Sequence, residues 1–438
     1  MKKTSMRLLI VVSLVALVAC SWYMLLDNTK KDQQQYADLL GKARTAVSEK
    51  LYMDALDYYN ETMEYRDSIE LRDEVAQLYL DHFTKSNYES FCEMIVEDYP
   101  YEKIGYERLA TYYRDSSAFY TCFDIIESAG KRGIQSETLD ALVQELYYAY
   151  ELREKSYIDV SEYSSGYCAV QRKSGKWGFA NNNGDSVIAG QYLDATAFSS
   201  SGVAAVLGED GVYVLVDATN RVKRVAPDGL VIEDCMPLIS GKMAVKYNGK
   251  YHYCNEKFQE LFGEFDYAGT FYCGGAAVQN GGKWAIVNEK GEQVTDFIYD
   301  DVKLDSKGIA FRGNRALVKQ NGKYCLIDTK GQQVGSETWE DADAFNADLL
   351  AAVCKDGKWG FVNTEGEIVV PYQYFEAKSF SNGFAAVRTG AKWGFIDAEK
   401  HELVIEAAFD EVRDFATKGN VFVKVGDRWS ILRIYRMK

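Results

Sequence analysis

The sequence predicts a multidomain α and β protein. An N-terminal anchor helix leads into an α-helical repeat region, and a tandem antiparallel β-repeat array follows, closed into a β-propeller, with an open β-solenoid as the alternative. Three observations carry this. Residues 8–26 form an apolar run. Glycine is sparse before residue 156 and dense after it, with 4 of the 35 glycines in 32–155 and 31 from Gly166 onward. An aromatic residue then recurs eight times, at Trp177, Tyr213, Tyr251, Trp284, Tyr324, Trp359, Trp393 and Trp429, in steps of 33 to 40 residues. A repeat of that length marks one supersecondary unit copied in tandem. The expected domains are therefore 1–31, an anchor or signal region, then 32–155, helical repeats, and 156–438, β repeats.

The first element is read from its length and flanks. Leu8 to Leu26 is broken only by Ser13, Cys20 and Ser21, and is preceded by Lys2, Lys3 and Arg7. That is long enough to cross a bilayer, and the basic flank favours an inside N-terminus, which puts the rest of the chain on the extracytoplasmic face of the membrane. The run continues through Trp22 to Leu26, which argues for an uncleaved signal anchor rather than a cleaved signal. The alternative is a lipoprotein, because Leu17-Val18-Ala19-Cys20 resembles a bacterial lipobox with Cys20 as the lipidated residue.

In 32–155 apolar residues recur every three or four positions, as in Leu71, Val75, Leu78 and Tyr79, the spacing of a helix with one buried face. The helices are expected in pairs. Tyr52, Ala55 and Tyr59 belong to one pair, Tyr88, Phe91 and Ile95 to the next, a third covers Leu109–Tyr113 and Phe119–Ile126, and a closing helix runs from Ser136 to about Arg153. The arrangement resembles tetratricopeptide-like repeats, although the small residue at Ala55 becomes Phe91 one period later. With 13 basic and 26 acidic residues, this region carries most of the net charge of −15, and it is rich in Tyr. The acidity excludes nucleic acid as the main partner, since phosphate binding needs a basic face.

From 157 onward each copy has the same turn chemistry. A two-residue hairpin signal precedes the aromatic, as in Asn248-Gly249, Asn321-Gly322 and Asp356-Gly357. Asn or Asp follows four residues after it and Gly three later, as in Asn181/Gly184 and Asn363/Gly366, a second turn. The residue after the aromatic is small in Gly178, Ala285, Gly360 and Gly394, which predicts close approach of a neighbouring sheet. Each unit is thus a meander of three or four strands, and the stretch from Phe409 makes an eighth unit that lacks its last strand. Closure into a ring removes exposed edges.

The motif Gly-Lys-Trp-Gly-Phe followed by Ile, Val or Ala and then Asp or Asn, with Trp177-Gly178, Trp359-Gly360 and Trp393-Gly394 as its clearest copies, resembles the WG-repeat family of bacterial proteins. Trp284-Ala285, Tyr213-Val214, Tyr251-His252, Tyr324-Cys325 and Trp429-Ser430 depart from it. The resemblance implies a tandem β array with a binding or structural role and brings no catalytic residues.

The residues themselves point the same way. His82, His252 and His401 are isolated, and no zinc spacing, P-loop, dinucleotide fingerprint or nucleophile elbow is present. The nine Cys show no clustered spacing, which favours buried free thiols. One acid recurs near the start of each unit, at Asp194, Asp266, Asp300, Asp301, Asp341, Glu376 and Asp410, and recurrence argues for a structural bond. The expectation is a non-catalytic, membrane-anchored scaffold that captures a protein or a cell-envelope polymer, without catalytic residues, cofactor or metal. The alternative is a carbohydrate-active or other enzyme on a propeller, which would need unequal acids converging at one end of the ring.

Overall fold

The computed structural model describes residues 31–417 and 419–434. The chain divides into two compact units between Glu145 and Leu146, earlier than the change in composition at about 155. The expected anchor at 8–26, with Cys20, lies outside the described residues. Among those described, no helix is long and apolar enough to cross a membrane.

The first unit is a run of helices: α1 (31–48), α2 (Tyr52–Tyr65), α3 (Ile69–His82), α4 (Lys85–Asp98), α5 (Lys103–Asp115), α6 (Phe119–Lys131) and α7 (Glu137–Glu145). Each buries the face its spacing implies, for example Leu71, Val75 and Leu78 on α3 and Tyr88, Phe91 and Ile95 on α4. Side-chain oxygens of Ser68 and Thr84 accept from Leu71 N and Asn87 N and so satisfy free amides at the starts of α3 and α4. From α2 to α6 successive helices pack on one another, and α5 also touches α3 and α7, as expected for stacked helical hairpins. Gly105 lets α5 approach α4 closely, since a Cβ there would lie 2.8 Å from Val96 Cγ2. Much of the acidity serves inside the stack: Glu74 of α3 accepts both Arg44 of α1, at 2.9 Å, and the hydroxyl of Tyr59 of α2, at 2.7 Å.

The closing helix is shorter than expected. It starts at Ser136, whose hydroxyl accepts from Leu139 N at 3.1 Å, but ends at Glu145, and Tyr150–Glu154 is a β-strand.

The second unit consists of eight antiparallel sheets, here blades I to VIII. Blade I is Asp159–Val160, Tyr167–Gln171, Trp177–Asn181 and Ser186–Tyr192, paired in that order. Blades II to VII repeat the meander over 194–225, 234–265, 267–299, 301–339, 341–374 and 376–409. In blade IV the outer strand is reduced to the bridges Trp284–Tyr299 and Val287–Gln293. Blade VIII takes three strands from 411–434, and its missing fourth is Tyr150–Glu154, in register from Tyr150↔Ile434 to Glu154↔Ser430. A strand from before the first blade thus completes the last.

First and last blades are joined. Tyr157, Val160 and Cys168 share one core cluster with Phe422, Trp429 and Ile431, and Arg413 Nε donates to Val160 O at 2.8 Å. The β array is a closed eight-bladed propeller, which excludes the open solenoid.

The turns follow the sequence. Asn248, Asn321 and Asp356 have φ of 51°, 54° and 52° and are each followed by a glycine of positive φ, the geometry of a two-residue hairpin turn. In the second turn the side chain of Asn181 accepts from Asn183 N and Asp185 N, and Asp217, Asn255, Asn288, Asp328 and Asn363 do the same in their blades.

The Trp-Gly pair has a different reason from the one expected. In blades I, VI and VII the third strand loses register with the outer one just after the Trp, as in Trp359↔Tyr374 followed by Phe361↔Val370. The bulged outer strand folds over the glycine, so a Cβ at Gly178, Gly360 or Gly394 would lie 2.3, 2.6 or 2.6 Å from the carbonyl oxygen of Ile188, Val370 or Ile405. The close approach comes from the same blade, not from a neighbouring sheet.

Candidate functional site

The recurrent acids are tied up within blades or between adjacent ones. Asp194 accepts the Tyr213 hydroxyl at 2.8 Å, and Asp234 and Asp301 accept those of Tyr251 and Tyr324. Burial together with the facing carboxylate pushes the Tyr324 phenol up to about 12 and the other two higher. Asp266, Asp300 and Asp410 meet Lys250, Lys283 and Lys392, while Asp341 meets Lys303 at 2.9 Å and Glu376 meets Arg388 at 2.7 Å. These pairs hold neighbouring strands together and do not converge.

His252 stacks on Tyr247 with ring centroids 4.1 Å apart and lies 3.3 Å from Glu260, and His82 stacks on Tyr52 at 3.8 Å. Among the described residues no three His, Cys, Asp or Glu are grouped as metal ligands. The eight described cysteines are free thiols, buried except for Cys273. Burial raises the Cys92 and Cys122 thiols to about 11 and Cys254 to about 12, which suppresses the reactive thiolate.

Charged groups do converge where sequence spacing could not show it, in the loops that follow the innermost strand of each blade. A cavity of about 120 Å³ is lined by Glu162 of blade I, Asp305, Lys307 and Arg312 of blade V, Asn346 of blade VI and Asp414 of blade VIII, among others. Blades I and V are diametrically opposed in an eight-bladed ring, so this cavity spans the ring axis. Blade V reaches it with a longer inner loop, 303–314 against 378–383 in blade VII.

One wall is acidic. Glu162 Oε2 accepts from Asp414 N at 2.6 Å, and the Asp414 carboxylate accepts from Asn346 Nδ2. Burial raises both carboxyls above the usual carboxylate range, and the Glu162 charge adds to the rise at Asp414. The opposite wall is basic. Asp305 accepts from Lys307 N and Ile309 N at 2.9 Å each and pairs with Arg312 at 2.7 Å, while Thr270 of blade IV donates from its backbone N to Gly308 O at 2.7 Å. The loop is thereby fixed. Burial lowers the Lys307 ammonium below its ordinary value, and among the described residues its Nζ has no hydrogen bond or ion pair.

The helical unit has a groove of its own, of about 250 Å³, between the C-terminal end of α3, the start of α4 and the end of α5. Tyr79, Leu80, Phe83, Tyr88 and Tyr112 line it, together with Lys85 and Asp115. Leu80 is 46% exposed. Tyr79 and Phe83 pack at 5.2 Å, and Tyr88 and Tyr112 edge to face at 5.3 Å, so the aromatic wall is built before any partner arrives. The density of Tyr in this region is legible in the sequence; which of them face one groove is not, because the groove draws on three helices.

The comparison with protein families finds the repeat. The model of the WG containing repeat matches residues 177–213, 253–284, 285–324, 326–359, 359–393 and 393–429. Each match begins near a third-strand aromatic and runs towards the next, so the repeat is offset from the blade. The unmatched interval, 214–252, contains the short outer strand Val222–Val225 of blade II. No curated protein matches the chain. Among solved structures, BamB from Moraxella catarrhalis is similar at 11% identity and a TM-score of 0.42, over 65% of this chain and 100% of that one. Hsv2p from Kluyveromyces lactis is similar at 12% and 0.38, over 56% and 93%. The β-propeller domain of Cps50 (Swd1) from Myceliophteria thermophila follows at 9% and 0.37, over 65% and 98%.

Proposed function

We propose that this chain, which belongs to the family of proteins built from WG containing repeats, is a non-catalytic binding scaffold whose helical unit captures a protein partner. The observation that carries the reading is the aromatic groove of α3, α4 and α5 set in an acidic unit. Tyr and Phe offer a large apolar area at small entropic cost, and a surrounding negative field selects basic partners and speeds their arrival. The partner is therefore a protein segment with an apolar anchor next to Lys or Arg. The repeated acids of the propeller, engaged in bonds within blades or between adjacent ones, support a structural role for the ring.

The scaffold acts at the extracytoplasmic face of a membrane, held by residues 8–26 as an anchor helix or by a lipid on Cys20. The apolar run and its basic flank support this. Replacing Cys20 by Ala and following membrane fractionation and mass separates the two: loss of a shortened, lipid-modified form selects the lipoprotein.

The experiment for the binding function is affinity capture from cell-envelope extracts with residues 31–145 and 146–438 as separate baits. The helical bait should retain a specific basic partner. Retention by neither bait, with turnover of a glycan or peptide by the intact chain, overturns the reading in favour of an enzyme.

A further inference from the structure

We propose that the axial cavity of the propeller is a binding site for a small zwitterion of the α-amino-acid class, with its ammonium against Glu162 and Asp414 and its carboxylate against Lys307. Three features of the site lead there. The first is charge placement. The acids come from blades VIII and I and the Lys307 ammonium from blade V across the axis, so a bound molecule meets opposite charges at its two ends.

The second is unmet demand. Asp305 is already paired with Arg312, but Lys307 Nζ makes no hydrogen bond or ion pair among the described residues and feels Asp305, Asp414 and Glu162 only at longer range, and Glu162 has, beside its backbone bond, Lys378 at 4.0 Å and the more distant charge of Arg413. Burial has shifted all three groups towards their neutral forms. An ammonium on one side and a carboxylate on the other would favour the charged form of each, which is where a charge-assisted hydrogen bond gains most. The third is size and rigidity. About 120 Å³ is well below the roughly 300 Å³ at which drug-sized pockets begin. It admits a handful of non-hydrogen atoms. The basic loop is held by Asp305 and Thr270 before anything binds, so little ordering entropy is lost on association. A simple anion would leave the acid pair unanswered, and a simple cation would leave Lys307 so.

The test is calorimetric titration of the full chain with glycine and L-alanine, alongside acetate, methylammonium and L-tryptophan. Glycine and alanine should give one saturable site, with acetate and methylammonium weaker by about tenfold or more, because each makes only one of the two charged contacts. Tryptophan should give no heat. Lys307→Met and Glu162→Gln should each weaken glycine by about tenfold or more. Glu162→Gln keeps an acceptor for Asp414 N; if it nevertheless fails to fold, Lys307→Met decides alone, since among the described residues its ammonium has no hydrogen bond or ion pair to lose. Absence of saturable binding overturns the proposal, as do equal affinity for acetate or for methylammonium, binding of tryptophan, or unchanged affinity in Lys307→Met.

Discussion

The backbone N–H of Asp414 donates to the carboxylate of Glu162 at 2.6 Å, joining the eighth blade to the first. The same two side chains form the acidic wall of the axial cavity, so closure of the ring and the chemistry of its centre are linked. Both carboxyls are raised by burial. Between the ordinary carboxylate value, about 4, and their raised values, the folded protein holds more protons than the unfolded chain, and stability falls as pH rises through that window. The urea midpoint should therefore decline from mildly acidic to neutral pH, and Glu162→Gln should flatten the decline. An unchanged slope in the variant would remove Glu162 from the linkage.

The strand Tyr150–Glu154 completes blade VIII, with Lys155 N donating to Trp429 O at 2.8 Å. A chain beginning at 146 should keep the closed ring, whereas one beginning at 156 should melt roughly 5–10 °C lower, the equivalent of a few kcal/mol for a unit of this size. Trp429 is 1% exposed in the closed ring. Its emission should shift to the red in the shorter chain, and equal melting of the two chains would show that the strand is dispensable.

Gly360 lies under the bulged outer strand of blade VI, where an added Cβ would lie 2.6 Å from Val370 O. Gly360→Ala should cost about 1–3 kcal/mol by forcing that strand away. Ala285 holds the same position in blade IV, where the outer strand is reduced to two bridges. There Ala285→Gly should cost about 1 kcal/mol, through lost packing and added freedom in the unfolded chain. Urea midpoints of the two variants measure the difference.

Tyr213 donates to Asp194 from within the core shared by blades II and III. Tyr213→Phe keeps the ring and leaves Asp194 without its donor, at a cost of about 1.5–3 kcal/mol for a hydrogen bond to a charged group. Asp194→Asn should cost less, because an amide oxygen still accepts. Thermal or urea unfolding of the pair reads out the contrast.

How much of this was legible depends on where each partner sits in the chain. The helix pairs follow from local three- and four-residue spacing, and the blades from turns whose residues lie within a few positions of each other, such as Asn181 and Gly184. Gly178 was legible as a place of close approach, but its neighbour was not, because the bulge over it is set by Ile188 and Ala189 of the outer strand. Tyr150–Glu154 follows a helix and has an unremarkable composition; its strand character comes from pairing with 430–434 at the far end of the chain. The cavity was illegible for a related reason. Glu162, Lys307 and Asp414 each occupy a position that varies from copy to copy, and only ring closure brings them together.

The most direct test of the scaffold reading is equilibrium binding of the captured partner to the intact chain and to Tyr112→Ala, at low and at high salt. Tyr112 lines the groove without being deep in the core, so its loss should leave the helices folded. The account predicts that binding weakens with salt, as charge screening requires, and that Tyr112→Ala weakens it by about tenfold or more, the loss expected of an aromatic anchor. Affinity that is indifferent to salt and unchanged in the variant would contradict it.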